Sequence, residues 1–306
     1  SDALSDDFIN SINEAQSSWR AGKVWPKNTT EEFLNGLSGA VDPATYIHEY
    51  EHLIDYRPQF RDAEGIPNSF DAREKWPKCA SIGKAPNQGK CGSCWAVAVA
   101  SVFTDRYCIN TKGAVNEDFS AEDILTCCGS QCIADPMEPC RGGRVYYAWK
   151  FAEEQDNVYN RAEAKKCRSD CPNQAYGQTY HQDKQFVKGI TFFADGNVQK
   201  IQNEIMNNGP VVAHMEVFTD FETYTRGVYM HERGKPRDNQ HAVKLIGWGQ
   251  DKLFSYWLGV NSWGKNWGFN GGLFKIARGR DECKIESAVL TGNIDLNKLA
   301  KMKGAK

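Results

Sequence analysis

The chain has no uninterrupted apolar run of about 18 residues, the length that a membrane-crossing helix needs, so no span is expected. It has no surplus of positive charge: 37 Lys and Arg face 39 Asp and Glu, giving a net charge of −2 and no electrostatic case for a nucleic-acid partner. Cys127, Cys128, Cys132 and Cys140 lie close together, but no histidine flanks them and their spacing is not that of a paired C-x2-C site. Neither a metal nor a cofactor is therefore expected. The chain opens on polar Ser1-Asp2 instead of an apolar signal segment, so a signal peptide would already have been removed. Residues 1–66 also lack cysteine, which sets them apart from everything that follows.

The remainder is rich in cysteine. The whole chain has 11, which points to an oxidising compartment, and the odd number leaves at least one thiol free or bridged to another chain. At 306 residues the chain can hold two domains and bury a sizeable core. The central stretch is Gln88-Gly89-Lys90-Cys91-Gly92-Ser93-Cys94-Trp95, followed by the small apolar run Ala96 to Phe103, which reads as a buried helix. A cysteine in the first turn of a helix sits at the positive end of the macrodipole, which favours thiolate. Gln88 supplies a neutral donor for a developing oxyanion. Downstream stand Gln240-His241-Ala242-Val243 and Asn261-Ser262-Trp263-Gly264. His241 is the candidate base for Cys94, Asn261 the group that holds the imidazole, and Trp263 the cover that keeps water off their hydrogen bond.

Cys91 to Trp95 fits the C-G-[S/A]-C-[W/Y] signature of papain and the cathepsins, with His and Asn far downstream, and the chain resembles the papain-like cysteine proteases from about Pro67 to Ile294. Pro67 to Arg73, Ala121 to Gly129 and Cys283 to Ser287 resemble the cathepsin B branch in particular. The resemblance implies an α+β, two-domain papain-like fold. A helical half at about 80–180 would face a barrel-like, strand-rich half at about 185–290 across a cleft, with a tail at 295–306 that is disordered or trimmed. It also implies a cysteine endopeptidase zymogen of the secretory pathway, lysosomal or secreted, monomeric, acting on protein and peptide substrates and inhibited by cystatin-type proteins. Two rival readings are a non-catalytic binding protein on the same fold and a transpeptidase or ligase using the same acyl-enzyme.

Residues 1–66 resemble an inhibitory propeptide. Ser5 reads as an N-cap with Asp6 and Asp7 in the first turn, and Phe8, Ile12, Ala15 and Trp19 recur at helical spacing up to Gly22. Thr30 caps a short second helix, and beyond Gly39 the chain reads extended. One apolar stripe cannot make its own core, so this leader is expected to pack on the enzyme and run backwards through the cleft. Trp19, Phe33 and Leu37 would anchor it, with Gly36 to Gly39 beside Cys94. Removal is expected near Gly65 to Asn68, triggered by acid through the leader's carboxylates, His48 and His52. Asn28-Thr29-Thr30 is a glycosylation candidate.

The resemblance implies four disulfides, Cys79–Cys108, Cys91–Cys140, Cys127–Cys167 and Cys128–Cys132. Cys171 would be free or compete with Cys167, and Cys283 would be a structural free thiol. It implies oxyanion donors at Gln88 and the Cys94 backbone. Gly142 and Gly143 would line the non-primed side, with a specificity pocket of Val145, His214, Ala242 and Ala288. Cathepsin B has a Glu at the position of Ala288, so a basic residue two before the scissile bond (P2) should lose its preference. His214 and Arg144, protonated in acid, should add positive charge, so that apolar P2 is preferred and acidic P2 tolerated. Gln240 replaces a small residue. Residues 144–166 contain neither His nor Cys, so the cathepsin B occluding loop is missing and little dipeptidyl carboxypeptidase activity is expected. From Gln185 onward the pattern predicts a helix over 198–207, then strands at 211–218, 227–231, 242–248, 256–261 and 272–278. His48, His52, His181 and His231 read as surface or structural.

Overall fold

The computed structural model describes residues 3–49, 51–54, 65–153, 179 and 183–297. In chain order the elements are α1 (Asp6–Ala15), β1 (Trp19–Ala21), α2 (Glu31–Gly36), β2 (Phe70–Asp71), α3 (Ala72–Lys75), α4 (Cys94–Asn110), α5 (Ala121–Cys127), α6 (Val145–Glu153), β3 (Val187–Phe193), α7 (Val198–Asn208), β4 (Val211–Met215), β5 (Tyr224–Tyr229), β6 (His241–Asp251), β7 (Phe254–Val260), β8 (Leu273–Ala277) and β9 (Val289–Ile294). The sheet runs β1-β5-β8-β7-β6-β4-β9-β3, with β2 paired to β6. No helix among the described residues is long and apolar enough to cross a membrane.

Helix α4 is buried on almost every face, from Cys94 and Trp95 to Tyr107 and Cys108. Its alanines let α5, α6 and β6 approach closely, and an all-round apolar helix belongs inside a core. Two disulfides hold its ends. Disulfide Cys79–Cys108 fixes its far end, and Cys91–Cys140 fixes the loop before Cys94 to the segment leading into Gly142. Behind the cleft, Lys244 Nζ on β6 lies 2.8 Å from the buried carboxylate of Asp105 on α4 and donates to Ser101 Oγ at 2.9 Å. A third disulfide joins Cys128 to Cys132. Cys127 is also disulfide-bonded, and its expected partner Cys167 lies outside the described residues, as do Cys171, His181 and the last nine residues of the tail. Among the described residues the free thiols are Cys94 and Cys283.

The leader has no core of its own. Ile9, Ile12, Trp19, Leu34 and Leu37 enter the same cluster as Phe221, Tyr224, Trp263 and Trp267 of the strand half. Ser5 caps α1 and Thr30 caps α2, as their sequence positions predict. Trp19, however, is not helical. Gln16 leaves the helix in extended conformation, and its amide oxygen accepts from Trp19 N. Trp19 then opens β1, which pairs antiparallel with β5. The indole lies between Tyr224 and Tyr229 and donates to Met230 O at 2.9 Å. Burying the largest ring of the leader in an aromatic slot outweighs one more turn of helix. Beyond Gly39 the chain is not uniformly extended, because Pro43–Thr45, Ile47–Glu49 and Glu51–Leu53 form single 3-10 turns.

In the second half, α7 ends one residue later than predicted, at Asn208, with Gly209 at φ +113°. Strand β3 was not expected ahead of α7, nor β9 after the last predicted strand; they pair antiparallel with each other. Val187, Ile190, Phe192 and Phe193 are buried without strict alternation, which hides the period of two. Phe218 and His231 fall outside strands.

Replacing Lys244 with Met leaves Asp105 charged and buried without its partner. A loss of about 3–5 kcal/mol is expected, read as a lower midpoint in urea denaturation. The double replacement Lys244→Met, Asp105→Leu should recover most of it.

Candidate active site

Cys94 opens α4, where the first-turn backbone N–H groups lack helical partners and favour negative charge. His241 begins β6 opposite Met215, and Asn261 follows the end of β7. The two strands are neighbours in the sheet, which brings Asn261 Oδ1 to 2.7 Å from His241 Nε2. Asn261 Oδ1 also accepts from Ser262 N at 2.8 Å, which fixes it as the oxygen, so His241 Nε2 carries the proton. The basic atom is then Nδ1, which is buried and has no hydrogen-bond partner. The Trp263 ring lies 4.9 Å from the imidazole and screens the Asn261 bond.

Gln88 is held in place by Ser262, whose hydroxyl donates to Gln88 Oε1 at 2.6 Å. That leaves the Gln88 amide nitrogen as donor, to Cys91 O and to Leu37 O of the leader, both at 2.9 Å. The leader crosses the cleft here, as expected for Gly36 to Gly39. Gly39 N donates to Cys94 Sγ at 3.3 Å. Gly143 N donates to Gly39 O at 2.8 Å, and Val41 N to Gly143 O at 2.9 Å, so Ala40 bridges Gly143 in parallel. Ala40 N donates to Gln240 O at 2.8 Å. Such close passage requires glycine: a Cβ at Gly39 would fall 1.9 Å from Gly92 O. Gly142, at φ +125°, and Gly143, whose Cβ would collide with the Trp95 ring, give the same approach on the enzyme side.

Both reactive groups are fully buried under this segment. Burial pushes the Cys94 thiol up to about 11, against the pull of the Ala242 and Gly39 backbone N–H groups. Burial pushes His241 down to about 4, against the opposing effects of Asn261 and the Leu37 backbone, which favour the protonated ring. Under the leader, burial therefore favours thiol and neutral imidazole over the charged pair.

The remaining expected residues fall around Ala40. Val145, Ala242 and Ala288 share its apolar cluster, and His214 pairs with Ala242 across β4 and β6. One expectation about charge is corrected. Burial lowers His214 to about 4, so it does not become cationic in mild acid. Arg144 is taken up by Gln131 O and Ile133 O and lies over the Tyr46 ring. Helix α6 buries Val145, Ala148, Trp149 and Ala152, as its spacing predicts, and residues 154–178 lie outside the described residues. Trp19 and Leu37 are buried anchors, whereas Phe33 is half-buried against Trp25. Sequence reasoning missed Ser262, whose hydroxyl sets Gln88, and Trp25, which packs on Trp263 and donates to Glu222 O. It also missed Glu31, which meets Arg237 at 3.0 Å. Trp25 lies outside both helical patterns, so periodicity gave no signal for it. Trp25, Thr30, Phe33 and Trp263 line a cavity of about 450 Å³ between leader and enzyme, with Asn28 exposed at its rim. His48 and His52 are exposed, while His231 stacks on Phe218 and bonds Asp220.

Residues 66–293 match the model of the papain family cysteine proteases, and residues 4–44 match that of the peptidase family C1 propeptide. The chain is a papain-family cysteine protease with its propeptide attached. It is 36% identical over 314 residues to "Cathepsin B-like cysteine proteinase 4" of Caenorhabditis elegans, covering 92% of this chain and 90% of that protein. It is 36% identical to "Cathepsin B-like cysteine proteinase 5" of the same organism, covering 94% and 90%. Among solved structures, procathepsin B S9 from Trypanosoma congolense superposes with a TM-score of 0.80 at 31% identity, over 96% of this chain and 100% of that one. Procathepsin L2 from Tenebrio molitor shares the fold at TM-score 0.68 and 22% identity, over 94% and 89%. The chain is thus a cathepsin B-like cysteine protease zymogen with the papain-like fold.

Gly39→Ala should force the propeptide off the cleft floor through the collision with Gly92 O. The expected result is labelling of Cys94 by a small alkylating agent in the intact zymogen at neutral pH, at least about tenfold faster than wild type. An unchanged rate would mean that Gly39 does not control access.

Proposed function

We propose that the mature enzyme is an endopeptidase in which Cys94 is the nucleophile, His241 the acid and base, Asn261 the group that orients it, and Gln88 with the Cys94 backbone N–H the oxyanion donors. The observation that carries this reading is the Leu37 carbonyl on Gln88 Nε2 with Gly39 N on Cys94 Sγ. The propeptide presents a carbonyl to the oxyanion donor as a substrate would, but the residues that follow it lie along Gly143. A substrate held in the opposite sense would pair antiparallel with Gly143 and offer its carbonyl carbon to the sulfur.

Once the propeptide leaves, water reaches the pair and the proton moves from Cys94 to His241 Nδ1. The thiolate attacks the carbonyl carbon, and the oxygen takes the negative charge between the two donors, each contributing about 3 kcal/mol. His241 gives its proton to the departing amine as the C–N bond breaks, leaving a thioester on Cys94. His241 then takes a proton from water, whose oxygen attacks the thioester. Acid and thiol are released.

Acid favours this opening. The proton that His241 gains on opening comes from Cys94, so the pair itself takes up none from solvent. The acid trigger is assigned to the leader's own charged groups, as its sequence suggests. Cleavage between Gly65 and Asn68 then separates propeptide 1–66 from enzyme 67–294. The described disulfides fit the secretory route, with an acidic vesicle as the place of activation. Removal of the propeptide also takes Trp25 off buried Trp263, beside the already exposed Asn87 and Lys90 at the 450 Å³ cavity, opening the primed side for a continuing chain.

Labelling by an epoxide-type thiol inhibitor tests the scheme. Cys94 should react only after incubation near pH 4.5 has removed the propeptide, and equal labelling of the intact chain would contradict inhibition by it. Digests of a protein substrate should show internal cuts, and efficient release of C-terminal dipeptides would contradict the open primed side.

A further inference from the structure

Strand β4 alternates between two cores. Val211, Ala213 and Met215 enter the aromatic cluster of the strand half. Val212 enters the cluster that contains Cys94, Ala40, Val145, Ala242 and Ala288, and His214 lies on that same face of the strand. His214 is in register with Ala242, and its backbone N donates to Ala288 O at 3.0 Å. Its ring Nδ1 lies 3.0 Å from the same Ala288 oxygen. A carbonyl oxygen only accepts, so Nδ1 carries the proton and Nε2 presents a bare lone pair. That Nε2 is buried and has no hydrogen-bond partner, in a residue only 1% exposed.

The propeptide runs past this ring. Ala40 bridges Gly143 and Gln240 and packs with Val145, Ala242 and Ala288. Two residues on, Asp42 is the charge that acts on His214, and a carboxylate, like Nε2, only accepts. Neither the methyl of Ala40 nor the apolar side chains around it can donate. The inhibitory segment therefore leaves a buried acceptor unsatisfied where a substrate could satisfy it.

We infer that His214 makes the enzyme select, at P2, side chains that donate a neutral hydrogen bond (Thr, Ser, Asn or Gln) over apolar side chains of the same shape. The inference rests on the endopeptidase reading of the cleft. A donor reaching Nε2 exchanges its bond to water for one inside the cleft, whereas an apolar isostere leaves the lone pair without any partner. Sites that present a fixed polar atom discriminate strongly against analogues lacking the matching group. Cationic donors gain nothing comparable, because Ala288 offers no carboxylate to accompany a buried charge.

Thr and Val differ by a hydroxyl for a methyl, so they isolate this contact. Two otherwise identical peptides with Thr or Val at P2 are compared by kcat/KM on the activated enzyme. The expected result is about tenfold in favour of Thr. His214→Leu should abolish or invert the ratio, and His214→Gln, whose amide oxygen accepts, should restore part of it. Equal rates or a Val preference in the wild type would overturn the inference while leaving the protease reading intact. So would a Thr preference that survives His214→Leu. If that variant does not fold, the wild-type ratio and His214→Gln decide. Hydrolysis of neither peptide, with Cys94 unlabelled, would bring down the endopeptidase reading and this inference together.

Discussion

Two backbones meet at Gly39 and Gly92 with no room for a single side-chain carbon between them. That contact places the Gly39 N–H on the Cys94 sulfur and the Leu37 carbonyl on Gln88, and the inhibited state follows from it. It depends on enzyme elements made equally bare: Gly143 packs flat on the Trp95 ring, and Cys91–Cys140 keeps the loop before the nucleophile from retreating. Within the cleft the propeptide is held through its own main-chain groups, which meet enzyme main chain at Gly143 and Gln240 and side chains at Gln88 and Cys94. The side chains that hold the propeptide work elsewhere, where Trp19, Trp25 and Leu34 enter the aromatic core of the strand half.

The same lid controls protonation. A nucleophile and a base that would exchange a proton in water are kept neutral because neither ion is solvated under the propeptide. Geometry and electrostatics therefore change together when the lid is lost. Asn261, Ser262 and Gln88 form one chain of hydrogen bonds that does not involve the propeptide except at its end, the Gln88 amide. On the proposed mechanism, this frame is already assembled in the zymogen, and only its cover would change on activation.

Much of this was legible in the sequence, for identifiable reasons. Cys94, His241, Asn261 and Gln88 stand in motifs whose chemistry requires those residue types. The passage of Gly36 to Gly39 beside Cys94 follows from glycines in a leader too short to form a core. Other features had no local signature. Trp19 keeps helical spacing yet forms a strand, because tertiary burial of its indole overrides the periodicity. Strands β3 and β9 are too evenly buried to alternate. His214 was read as a potential cation from its residue type, and only its depth makes it a neutral acceptor. Ser262 and Trp25 gain their roles from partners far away in the chain.

Strand β1 belongs to the propeptide, yet it completes the edge of the enzyme's sheet and fills a slot between two tyrosines. Part of the folding information for the catalytic unit thus resides in the segment that activation discards. Loss of the propeptide would leave an open strand edge and a vacated aromatic slot. An activated molecule that unfolds has lost the template on which it was assembled, so its persistence rests on the height of its unfolding barrier more than on its ability to refold. Activation is in that sense a point of no return for the fold as well as for the chemistry.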